Sequence, residues 1–365
     1  MRFVLAVLSI VAVAAPLIAS AQQKPPELAI PADRPYRHAP SGLVIPAALD
    51  GLPRISANAF APDHLDEAFN FGTPNSSEDI TVFVFRNVAG SVPVWFDRVA
   101  RIVEQRDTYG GLTIAKPAAA FTPPGQTTAS GLIASYRPMR GPYRSTAMAF
   151  FPLGPDWYVE LRYSSTTIDA DAIDTRLRGA IAALGWPRQI EPQPAAEPVA
   201  DCTAPLALTG PAKAVKGENA MASSLFAGLL ASVGHDAAKK TKYTPPPSPF
   251  VWCRDTANYP ALKAHGVYRP SDTTDQYLIA LTDAGRGIWV SPDPITALLG
   301  KDKGEAAAVW SLTLNDVAAT TSYAGRDRLP PPDQAVAIVN SEPYASRTTT
   351  WGKKRNVQVN SDSLK

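Results

Sequence analysis

The chain has 365 residues, 45% of them apolar, with 35 lysines and arginines against 33 aspartates and glutamates. That balance argues against a nucleic-acid binder, which concentrates positive charge, and the apolar fraction calls for globular domains with real cores. The only dense basic groups, Lys239-Lys240-Thr241-Lys242 and Lys353-Lys354-Arg355, read as solvated loops.

At the start of the chain, Arg2 precedes an apolar run from Phe3 to Ala15, then Pro16 and the small residues Ala19-Ser20-Ala21. One positive charge, a short apolar core and a small-residue cleavage site are what an export signal needs. The run is short for a membrane span of about 20 residues. The reading is a signal peptide over 1–21, cleaved after Ala21, and with Arg2 removed the balance becomes 35 − 1 = 34 against 33. No second run is long enough to cross a bilayer, so the mature chain is expected in the periplasm or outside the cell. In that oxidising setting Cys202 and Cys253 can pair in only one way.

Residues 22–40 are proline-rich and predict a mobile or extended arm. The stretch EPQPAAEPVAD, 191–201, carries three prolines and no periodicity, which predicts a stiff linker between a first domain at 41–190 and a second at 202–365. In the first domain short strands are expected at 43–46 and 53–60. ITVFVFRN follows, apolar on both faces and therefore a central strand. Ser91 and Pro93 open a helix carrying Trp95, Val99, Ile102 and Val103 at helical spacing. Strands are then expected at 111–115, 130–137, 143–151 and 157–164. A helix capped by Asp169 carries Ile173, Leu177, Ile181 and Leu184, and Gly185 and Pro187 end it.

The fold class is therefore α+β, in two domains. The first is expected to be an antiparallel sheet with both helices packed on one face. This order over 41–187 resembles the small α+β modules of the PsbP and Mog1 type, a likeness that implies a fold and assigns no functional residue. The second domain reads as strand-rich α+β with a disulfide and one main helix at 218–233. Its strands are expected at 276–282, 287–291, 309–314, 317–323, 335–340 and 356–359.

Chemistry is sparse along the chain. None of the four histidines, His38, His64, His235 and His265, is spaced with another to ligate one metal from a single element. No Gly-x-Ser-x-Gly elbow occurs, GKDKG at 300–304 lacks the phosphate-loop pattern, and DTTDQ at 272–276 lacks a calcium loop. No metal or cofactor is expected. Two groups stand out as binding candidates. Tyr158, Glu160 and Arg162 alternate with Trp157, Val159, Leu161 and Tyr163 and so share the opposite, half-solvated face of their strand. Tyr136, Arg137, Arg140, Tyr143 and Arg144 flank a hairpin tip, a rim suited to an anionic glycan, a headgroup or a protein partner. The expectation is an exported, non-enzymatic binding or envelope-interaction protein with an unknown protein, glycan or small-molecule partner. An exported hydrolase with a site assembled from distant residues is the alternative.

Overall fold

The computed structural model describes residues 25–73, 75, 77–215, 251–262, 265–282, 284–293, 309–354 and 356–360. The signal peptide, the 218–233 helix, the Lys239 cluster, His235 and GKDKG lie outside them. The arm is not free: strand β1 (Tyr36–Arg37) pairs with β2 (Val44–Ile45), and the Leu28 N–H donates to the Ala57 carbonyl at 2.8 Å. Leu28 and Ile30 pack against the core and so hold the prolines in place.

The first sheet contains β3 (Ala48–Leu49), β4 (Leu52–Ala59), β5 (Asp66–Gly72), β6 (Glu78–Arg86), β7 (Leu112–Phe121), β8 (Gly131–Pro138), β9 (Ser145–Leu153) and β10 (Trp157–Ser165). All are antiparallel, in the order β3-β4-β5-β6-β10-β9-β8-β7. The ITVFVFRN strand, β6, is central as expected. Strand β7 runs past its expected end at Ala115 and through Pro117. It is an edge strand with irregular register there, so the missing proline N–H breaks no inner ladder. Strand β5 was not anticipated, because Asp66 and Glu67 interrupt its apolar pattern.

The two helices of this half, α1 (Val92–Glu104) and α2 (Ile173–Ala183), cover opposite faces, correcting the expectation that both lie on one. Alternation along the strands explains it. Val84, Ala149, Phe151, Val159 and Leu161 face α2, whereas Phe85, Met148, Phe150 and Tyr158 face α1. Both faces are apolar, so each needs its own cover. Ser91 sits at the N-cap of α1 as expected, but its hydroxyl makes no cap hydrogen bond. Helix α2 starts at Ile173, and Asp169 belongs to the turn before it.

Among the described residues the second sheet has nine strands in chain order: β11 (Ala200–Asp201), β12 (Trp252–Arg254), β13 (Gly266–Pro270), β14 (Tyr277–Ala280), β15 (Gly287–Pro292), β16 (Trp310–Asn315), β17 (Ala319–Ser322), β18 (Ser346–Thr349) and β19 (Val357–Val359). The segment read as a strand at 335–340 is instead a helix, α3 (Pro332–Ser341). A short apolar run fits either period. Here Pro332 in the first turn and the burial of Ala335 and Ile338, three apart, decide for helix. The overall class is α+β and rich in sheet. The Cys202–Cys253 disulfide is formed and ties the chain just after β11 to β12. Among the described residues no helix is long and apolar enough to cross a membrane.

Helix α1 lies between the sheets. Trp252, Tyr268, Leu278 and Ala280 of the second join Trp95, Val99 and Phe150 in one cluster, and Asp97 on α1 accepts from Arg254 at 2.6 Å and from the Tyr268 hydroxyl at 2.9 Å. The 191–201 segment is extended but docked: Ala196 is buried and its N–H donates to the Ala129 carbonyl at 2.9 Å. Arg86, also buried, reaches across to donate to the Val317 carbonyl and the Thr350 hydroxyl, both at 2.8 Å, and lies over the Trp351 ring. Arg86→Met should cost roughly 3 kcal/mol, because each hydrogen bond from a charged group contributes about 1.5–3 kcal/mol. Equilibrium urea unfolding would measure this, and a loss below about 1 kcal/mol would show that the contact does not join the halves.

Candidate functional site

The largest hollow described lies between the two sheets beside the C-terminal end of α1, with a volume of about 660 Å³. The first sheet supplies Asp66 from β5, Phe83 from β6 and Arg162 from β10, and Phe60 closes one side. The second supplies Arg286 from the turn before β15 and Asp316 from the turn after β16, and Arg106 stands at the mouth. Arg286 donates to Asp66 at 2.6 Å and to Asp316 at 2.8 Å, which pins its turn to the other sheet. Gly285 makes the approach possible. Its φ is +77°, and a β-carbon would meet the Phe85 ring at 3.3 Å and the Arg86 carbonyl at 3.2 Å.

The row singled out in the sequence reaches this cleft through Arg162. Glu160 and Arg162 are not on a half-solvated face: they are 1% and 7% exposed, and Tyr158 is 3% exposed. The Arg162 Nε donates to Glu160 Oε1, and its guanidinium lies 4.8 Å from the centre of the Phe83 ring. Tyr158 packs against Phe85 and Phe150 under α1, and that burial pushes its phenol well above the usual range. Of the three, Arg162 alone lines the cleft.

The hairpin rim is divided between the two faces of the sheet. Arg137 and Arg144 pair with Asp171 and Asp169 on the turn before α2. Tyr136 packs on the α1 side, where burial, reinforced by Asp97, pushes its phenol up to about 12. Tyr143 donates to Asp79 at 2.7 Å. Arg140 lies over Gly110 and lines a shallow hollow of about 430 Å³ with Gln105 and Arg106. That hollow shares Arg106 with the cleft and Gln105 with a third, of about 490 Å³, that includes Arg98, Arg101, Arg254 and Tyr259. The turn after α1 therefore links three concavities, each lined by arginines together with carboxylates: Asp201 and Asp255, Glu104 and Asp107, and Asp66 and Asp316. Among the described residues, neither Arg106 nor Arg140 has an ion-pair partner. The sequence reading missed Arg106, Arg286 and Phe60, which no local pattern distinguishes from other loop residues.

A hydroxyl and an imidazole do meet elsewhere, with His38 Nδ1 2.7 Å from Ser41 Oγ. The contact belongs to a locked turn. His38 is fully buried, its Nδ1 also accepts the Ser41 N–H at 3.3 Å, and Ser41 Oγ accepts the Leu43 N–H at 3.2 Å. His265 likewise has its Nδ1 2.8 Å from the Leu281 carbonyl. Asp272, from the DTTDQ stretch, accepts the Thr203 N–H at 3.1 Å and its hydroxyl. It lies beside Cys202 and Cys253, whose sulfurs are spent in the disulfide and offer no thiolate to a metal.

No family model matches the chain, and no curated protein matches it. One solved structure, of a protein from Bacteroides thetaiotaomicron VPI-5482, aligns at 11% identity with a TM-score of 0.19. The alignment covers 59% of this chain and 65% of that one, just under two thirds of its length.

Proposed function

We propose that this is an exported, non-enzymatic binding protein of the cell envelope, built of two domains, and that the cleft between its sheets holds an acidic glycan. One observation carries the reading: the cleft joins Arg106, which has no ion-pair partner among the described residues, to two aromatic rings, Phe60 and Phe83. Phe60 is 48% exposed and so leaves its ring accessible to a ligand. A ring face takes up the apolar side of a sugar while an arginine fork takes its carboxylate. The formed disulfide accords with export.

The hydrolase alternative needs a nucleophile or an acid–base pair in the same place. The described lining offers Thr282, whose hydroxyl accepts the Ala284 N–H at 3.3 Å, and two aspartates already held by Arg286. Those groups serve the architecture of the cleft.

Calorimetric titration of the mature protein with uronic-acid oligosaccharides, beside neutral ones of equal length, tests the proposal. The acidic series should bind at least tenfold more tightly, and Arg106→Ala and Phe60→Ala should each weaken it by about tenfold, or about 1.4 kcal/mol. Both side chains are exposed, so thermal midpoints should not move. Equal affinity for neutral and acidic sugars, or indifference to both substitutions, would overturn the reading.

A further inference from the structure

On the edge of the molecule formed by the N-terminal arm, three side chains from separate segments converge on one point. His64 Nδ1 is 2.6 Å from Glu67 Oε1, the Tyr36 hydroxyl is 3.1 Å from the same oxygen, and the hydroxyl is 3.2 Å from His64 Nδ1. Donor atoms around a tetrahedral ion at its usual bond lengths lie roughly 3.3 Å apart. Two sides of the triangle are within about 0.2 Å of that spacing, and the His64–Glu67 side would open by about 0.7 Å to receive one.

The carboxylate itself is the second observation. Glu67 is fully buried, and its Oε2 has no hydrogen-bond partner. The nearest candidate donor, His38 Nε2, is 3.9 Å away and committed elsewhere, because it lies 2.7 Å from the His64 carbonyl, which can only accept. A buried carboxylate oxygen without a donor is costly, and such groups in folded proteins call for a water or an ion.

The backbone is shaped to the same end. Asp63 and His64 both have left-handed φ, +57° and +59°, in a turn without glycine. L side chains rarely adopt that conformation, and the turn leaves the His64 ring against Glu67, three residues on. Phe69 packs on Tyr36 at 5.3 Å and fixes its phenol. His64 is 48% exposed, so an ion held here keeps an open position toward solvent.

We propose that Tyr36, His64 and Glu67 form a binding site for a divalent first-row transition-metal ion, with solvent completing its shell. One imidazole nitrogen with oxygen donors suits zinc and its neighbours in the series better than calcium or magnesium, which prefer oxygen alone.

The test uses the untagged mature protein, stripped with a chelator, then titrated calorimetrically with Zn²⁺ and followed by visible absorption with Co²⁺. One equivalent should bind, with the intense cobalt bands of a four-coordinate site. His64→Ala, at an exposed position, and Tyr36→Phe should each lower Zn²⁺ affinity by about 10-fold or more while leaving the far-ultraviolet spectrum unchanged. No saturable binding, or binding that both variants retain at full strength, would overturn the proposal. Glycan binding at the cleft is measured separately, so either proposal can fail without the other.

Discussion

Glu160→Gln is expected to destabilise the protein by about 3–5 kcal/mol, the cost of breaking a buried ion pair by removing one partner. The glutamate and Arg162 are almost fully enclosed, and Arg162 is held over Phe83, so the guanidinium cannot swing out to water without leaving the ring. The neutral amide keeps an acceptor oxygen but no charge to balance the arginine. Urea unfolding at constant m-value would report the loss as a shift in midpoint. Replacing both residues by apolar ones, Glu160→Leu with Arg162→Met, should recover most of it, because a matched apolar pair carries no desolvation cost. A loss below about 1 kcal/mol in the single variant would mark the pair as solvated, with the energetics of a surface bridge.

The second large effect is expected at the disulfide. Cys202 and Cys253 are 51 residues apart, and closing a loop of that length removes denatured-chain entropy equivalent to about 4 kcal/mol. Cys202→Ser with Cys253→Ser should lose close to that amount. Reduced wild-type protein should unfold at nearly the midpoint of the double variant, which should itself be indifferent to reductant. The bridge joins the short parallel pair β11 and β12 at the edge of the second sheet, so amide exchange should accelerate first there. Identical midpoints for oxidised and reduced protein would show that the bridge contributes nothing to stability.

Much of the architecture was legible because it is local. The period-two alternation of β9 and β10 assigns Phe151, Val159 and Leu161 to one face. The 3.6-residue stripe marks α2, and a lone pair of cysteines has one possible partner arrangement. Where local signals were weak the reading failed: the acidic start of β5 hid a strand, and the short run AVAIV fitted a strand as well as the helix it forms.

The row Tyr158, Glu160 and Arg162 marks the boundary between the two kinds of information. Alternation along the strand dictates that these side chains oppose Val159 and Leu161, and it does so without reference to the rest of the chain. Whether that opposite face meets water depends on α1 and the second sheet, which are brought over it by packing between distant segments. Polar residues on a strand read as solvated because burying a charge alone is prohibitive. Glu160 and Arg162 escape that penalty by meeting each other on the same strand, and Asp66 and Arg286 by meeting across the two sheets. The cleft and the triangle of Tyr36, His64 and Glu67 arise the same way: chain pattern sets which face each residue occupies, and long-range contacts set what that face encloses.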